Sequence, residues 1–154
     1  MNNKKPSFEQ AINAAMFWCK AWEKDELSDE VLADRIGELL STKEGARGFF
    51  VISLSTDCPL MDRFPEPIIF KLIAIGEIVV DLVIRNLAMS SAMSIHHNRQ
   101  GNKIERAGSE RIRRRSIELL RLLDTKSVKK KVDDLLSGIR EEKGNYREFL
   151  KKWN

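Results

Sequence analysis

The chain is poor in the features that equip many small proteins for extracellular life or for catalysis. It holds only two cysteines, Cys19 and Cys58, in 154 residues, too few for a disulfide scaffold. Cys19 falls on an apolar helical face, where a buried, reduced thiol is expected, and this points to a cytoplasmic protein. There are two histidines, His96 and His97. Adjacent side chains on a helix point ~100° apart, so both cannot easily reach one metal. Spaced zinc signatures such as HExxH or CxxC are missing. No metal site and no cofactor is expected. GxSxG, a P-loop and a dinucleotide fingerprint are absent too, so no catalytic residue is assigned and a non-enzymatic role is favoured. The N-terminal Met-Asn-Asn-Lys-Lys-Pro runs into Ser7-Phe8-Glu9-Gln10 rather than an apolar stretch, and no signal peptide is expected. The longest apolar tract is interrupted by Lys71, Glu77, Asp81 and Arg85. A membrane span tolerates few such charges, so no membrane insertion is expected.

What is present is helical periodicity and charge. Hydrophobic residues make up 42% of the chain, enough to build a core, and the length fits a single helical domain over 1–154. Ser7 with Gln10 forms a capping box that opens a helix to about Lys24. Ser28, followed by Asp29 and Glu30, opens a second. Ser41 with Glu44 suggests a third box, opening the segment over 43–56. Phe49-Phe50-Val51-Ile52 in that segment has strand character, but no partner strand exists, so a helix is preferred, with Gly45 and Gly48 permitting close packing. Prolines 59, 65 and 67 mark a loop. From Pro67 the pattern is apolar almost all round and predicts one long buried central helix over about 67–97. Residues 98–107 are polar and are expected to form a mobile loop. Ser109 is expected to cap the next helix, with Ile112, Ser116, Leu119 and Leu123 inward, and Thr125 to open another. The fold class read from this pattern is all-α, a bundle of six or seven helices around the central one.

Three groups of residues are candidates for function. Glu77, Asp81 and Arg85 recur every four residues, and His96 falls near the same line, so a polar cleft on one side of the central helix is conceivable. The plainer reading is an i, i+4 ion pair between Asp81 and Arg85. Residues 1–100 carry 11 basic and 14 acidic side chains, a balance of −3, whereas 101–154 carry 16 and 9, a balance of +7. The basic excess gathers around Arg106, Arg111, Arg114, Arg115, Lys129 and Lys130, a candidate anion-binding surface. Nucleic acid is its sharper partner. Glu110, Glu118, Asp133 and Asp134 are interspersed, as on an ordinary solvated face. Tyr146, Phe149, Leu150 and Trp153 fall on one side of a short terminal helix. Such a helix must dock to persist, on its own domain or on a second subunit.

The strings Phe17-Trp18-Cys19-Lys20-Ala21-Trp22, Gly45-Ala46-Arg47-Gly48-Phe49-Phe50 and Asn86-Leu87-Ala88-Met89-Ser90 give the chain a resemblance to small helical conserved hypothetical proteins of cyanobacteria. The resemblance implies a bacterial cytoplasmic protein and brings no activity, cofactor or site residue with it. The function expected from the sequence is that of a protein–protein interaction or adaptor module, with another protein or a second copy of the chain as partner. A nucleic-acid-associated protein using 106–131, and an enzyme or ligand binder using the polar side of the central helix, are the alternatives.

Overall fold

Short polar side chains set the helix starts, because the first N–H groups of a helix have no partner within it. The computed structural model describes residues 4–141, 144 and 146–151. Among them there are nine helices and no strand. These are α1 (Phe8–Glu23), α2 (Asp29–Leu39), α3 (Lys43–Ser55), α4 (Leu60–Arg63), α5 (Glu66–Ile75), α6 (Glu77–Arg99), α7 (Lys103–Leu122), α8 (Thr125–Glu141) and α9 (Arg147–Lys151). The protein is all-α, as its periodicity predicts. By internal contacts the chain divides into two units, Met1–Val79 and Val80–Asn154.

In the first unit, α1 opens with the capping box read from the sequence. The Gln10 N–H donates to Ser7 Oγ at 3.1 Å, and the Ser7 N–H donates to Gln10 Oε1 at 2.9 Å. Ser28 caps α2 by accepting from the Val31 N–H. The cap of α3 is Thr42, which accepts from the Gly45 N–H at 3.1 Å, one residue beyond the Ser41 that the sequence suggested. Residues 43–55 are helical, not extended. α1 packs on α2 and α3, and α2 packs on α5. The α1–α3 approach is close because Gly48 has no side chain. A Cβ placed there would lie 2.6 Å from the Ala11 Cβ, nearer than two carbons can come. Phe49, Phe50 and Leu54 of α3 are fully buried, beside Leu32 and Ile36 of α2 and Ala11 and Ala15 of α1.

The long central helix over 67–97 is corrected by the structure. Gly76 sits at φ +91°, a conformation that favours glycine because it has no Cβ. It ends α5, donating its N–H to the Leu72 carbonyl at 3.3 Å, and the chain restarts as α6 at Glu77. The core moves accordingly. Ile68 and Leu72 are buried, while Ile73 is 40% exposed and Phe70 61% exposed. Only 28% of the apolar window of α6 is buried, so this helix is not the enclosed centre the sequence implied. By length and composition it is the one described helix able to cross a bilayer.

In the second unit α7 packs on α8, and α8 on α9. α6 and α7 are linked by Arg106, which donates to Asn98 Oδ1 at 2.9 Å. The expected loop over 98–107 is shorter. α7 starts at Lys103, capped by Asn102, whose side chain accepts from the Glu105 N–H at 3.2 Å. Ser109 caps nothing and is buried one and a half turns inside α7. α8 starts at Thr125, as expected, and Asp124 caps it by accepting from the Ser127 N–H. Val83, Ile84, Ser116, Leu119, Leu120, Leu123 and Leu135 make the interior of this unit.

Candidate functional site

Two of the sequence candidates meet in the second unit. Asp81 and Arg85 stand one turn apart on α6, and Arg85 Nε donates to Asp81 Oδ2 at 2.9 Å. Tyr146, just before α9, donates its hydroxyl to Asp81 Oδ1 at 2.7 Å. The Arg85 guanidinium lies 4.9 Å from the centre of the Tyr146 ring and 5.1 Å from that of Phe149, within cation–π range. Tyr146 is fully buried and Phe149 and Leu150 are half-buried. Trp153 lies outside the described residues. Burial pushes the Tyr146 phenol pKa well up, and the hydrogen bond and negative charge of Asp81 push it further, against the lowering effect of Arg85. The phenol therefore stays protonated at neutral pH. With each carboxylate oxygen of Asp81 accepting a hydrogen bond, this cluster clamps the C-terminal segment onto α6.

Glu77 and His96 do not join it. Glu77 is exposed in the first turn of α6, and His96 is exposed with its ring 5.6 Å from that of His97. Among the described residues, no group of three or more His, Cys, Asp or Glu side chains is placed to hold a metal.

The basic surface is less continuous than its sequence. Arg115, counted in the candidate anion-binding surface, is 2% exposed. It follows directly on the outward Arg113 and Arg114, and the turn of α7 carries it inward beside Ser116 and Leu119. Arg106 is paired with Glu110 at 3.0 Å. Arg111 and Arg114 also have interaction partners. Lys129 and Lys130 are exposed on α8.

A further feature of the second unit was not read from the sequence. A groove of about 490 Å³ runs between α7 and α8 over Leu87 of α6. Ile117, Leu120, Val128 and Val132 form its apolar walls, and Arg121 and Lys129 stand at its rim. Both cations are exposed, and neither has an ion-pair partner among the described residues. Along α8 the apolar stripe continues from Val128 and Val132 to Leu136 and Ile139, which are 38% and 57% exposed. No carboxylate, imidazole or thiol lines the groove. The Thr125 hydroxyl also lines it, so the groove can desolvate an apolar surface and attract negative charge. The sequence signal was the Val128–Val132–Leu136 spacing, which reads equally well as core.

A protein family described as uncharacterised conserved protein UCP020893 matches residues 7–154. The chain belongs to this family. The match takes in every described helix, from α1 to α9, so the groove and the Tyr146 clamp both lie within it. No curated protein and no solved structure matches the chain.

Proposed function

We propose that the protein is a non-enzymatic interaction module that holds an acidic amphipathic helix of a partner protein in the α7–α8 groove. The observation that carries this reading is the groove itself: four apolar walls, an apolar floor and two exposed cations at the rim. A helix laid in such a groove inserts apolar side chains at i, i+3/i+4 and i+7, and its flanking acids meet the rim. The exposed continuation at Leu136 and Ile139 lengthens the contact to several turns. Charge complementarity sets the sign of the partner, because residues 101–154 carry the +7 balance. The proposal places the protein in a bacterial cytoplasm, in keeping with its resemblance to cyanobacterial proteins. A nucleic-acid role has less support, since Arg115 is buried and Arg106 is paired with Glu110.

The test is fluorescence anisotropy with two labelled amphipathic peptides sharing one leucine face, one flanked by Glu and the other by Lys. The acidic peptide binds, the basic one does not, and Val132→Asp abolishes binding. Equal binding of both, or binding that survives Val132→Asp, contradicts the proposal. Failure of the acidic peptide to bind, with saturable binding of a medium-chain alkyl carboxylate that Val132→Asp abolishes, would reassign the groove to a small amphiphile. Tighter binding of a labelled DNA duplex than of the acidic peptide at physiological salt would favour nucleic acid.

A further inference from the structure

The first unit holds a feature that the groove reading does not use. Cys19 on α1 and Cys58 in the turn between α3 and α4 are 39 positions apart in the chain, yet their thiols lie within hydrogen-bond reach of each other. Both are buried, at 3% and 5% exposure, and both line one cavity of about 230 Å³. The fold holds each sulfur in place. Cys19 lies on the same buried face of α1 as Ala11 and Ala15, the face that meets α3 at Gly48. Cys58 is tied to the end of α3 through Thr56. The Thr56 hydroxyl donates to the Ile52 carbonyl at 2.6 Å and accepts from the Cys58 N–H at 3.4 Å.

We infer that Cys19 and Cys58 form a reversible disulfide site, oxidised by a peroxide small enough to enter the cavity they share. A single buried cysteine is ordinarily inert. Here a second thiol stands where it can capture the product of the first oxidation. The cavity, at about 230 Å³, admits a molecule of hydrogen peroxide's size. The pair is also asymmetric. The Cys19 thiol donates its proton towards the Cys58 sulfur, and this hydrogen bond, with burial behind it, drives the Cys19 pKa strongly upward. Cys58 is thereby the nucleophile and Cys19 the resolving thiol. Lys20 lines the cavity and favours a thiolate there, while Glu23 and Asp57, on the same wall, oppose it.

The chemistry balances in two steps. The Cys58 thiolate sulfur attacks one peroxide oxygen, the O–O bond breaks, and the departing hydroxide takes up a proton to leave as water. Cys58 is now a sulfenic acid. The Cys19 sulfur attacks the Cys58 sulfur, its proton passes to the sulfenic hydroxyl, and a second water leaves as the S–S bond forms. Together the thiols lose two electrons and two protons, and one peroxide is reduced to two waters. A dithiol reductant reverses the step by exchange.

The experiment treats the folded, full-length protein with hydrogen peroxide and reads intact mass and a non-reducing peptide map. The expected result is loss of two hydrogens, a Cys19–Cys58 cross-linked peptide, a raised Tm and full reversal by dithiothreitol. In Cys19→Ser the sulfenic acid on Cys58 persists and is trapped by dimedone, whereas Cys58→Ser gives little trapping. A protein that keeps both thiols free at a peroxide dose that oxidises a control dithiol, or that cross-links only between chains, overturns the inference. Trapping at Cys19 in preference to Cys58 overturns the assigned roles.

Discussion

The α1–α3 crossing and the α7–α8 pair use apolar side chains in opposite ways. At the crossing, glycine and alanine bring two helices to the limit of approach, and the large residues of α3 are enclosed. In the pair, Val128 and Val132 are only half-covered, Leu136 and Ile139 are exposed, and a groove remains. Their charges differ in the same sense, since the chain is net acidic over 1–100 and strongly basic over 101–154. The difference teaches where the chain encloses its apolar residues and where it leaves them accessible. Small residues at a crossing bring two helices into full contact, whereas the β-branched residues lining α7 and α8 leave apolar surface uncovered among the described residues.

Substitutions sharpen that contrast. The largest effect is expected at Phe49→Ala, which empties a site 1% exposed; a loss of about 3–5 kcal/mol in urea unfolding is the usual cost of such a truncation. Gly48→Val tests the crossing from the other side. Its added atoms meet Ala11, and overpacking of this kind costs about 1–3 kcal/mol. On α5, Leu72→Ala and Ile73→Ala form a paired measurement. Leu72 is fully buried and should cost about 2–5 kcal/mol, while Ile73, 40% exposed, should cost less than about 1 kcal/mol. Equal losses at the two sites would restore the unbroken buried helix that the sequence suggested.

A smaller effect belongs to the C-terminal clamp. Tyr146→Phe removes the hydrogen bond to Asp81 and should cost about 1–2 kcal/mol. Its pH dependence is distinctive. The folded protein raises the Tyr146 pKa above the ordinary value of 10.0, so the native state keeps a proton that the unfolded chain gives up. The stability contributed is complete below that value and falls as pH climbs through it. Chemical unfolding across the alkaline range should show this fall in the natural protein and a shallower one in Tyr146→Phe; identical profiles would dissociate the phenol from the clamp. The smallest stability effect is expected at Val128→Ala in the groove, within about 0.5 kcal/mol because the side chain is already half-exposed. Peptide affinity should nevertheless drop, and Arg121→Glu should lower it by about tenfold, near 1.4 kcal/mol.

Much of this was legible in the residues. Ser7–Gln10 and Ser28 announced their helices, because short oxygens at those positions satisfy specific N–H groups. Gly45 and Gly48 read as packing glycines, and Gly48 is one. The break at Gly76 was signalled by a glycine followed by an acidic residue, a stop and a start, but the apolar flanks on both sides masked it. Ser109 misled because a serine before a charged run resembles a cap, while Asn102 filled that role nearer the preceding turn. Arg115 could not be placed from periodicity, since a stripe fixes which side of a helix is inward only to within a residue. The groove was invisible for a deeper reason. Whether Val128 and Val132 are covered depends on how far α7 and α8 stand apart, and no local pattern encodes that distance. The Tyr146–Asp81 bond, 65 positions apart in sequence, joins two candidates that the sequence offered separately.

The central claim is tested most directly by methyl-labelled NMR of the intact protein titrated with the acidic amphipathic peptide. The account predicts saturable shifts at Leu87, Ile117, Leu120, Val128 and Val132, with little change at Leu32, Leu54 and Leu72. Shifts centred on Ile73 and Ile78, or none at the groove when the peptide is bound, would contradict it.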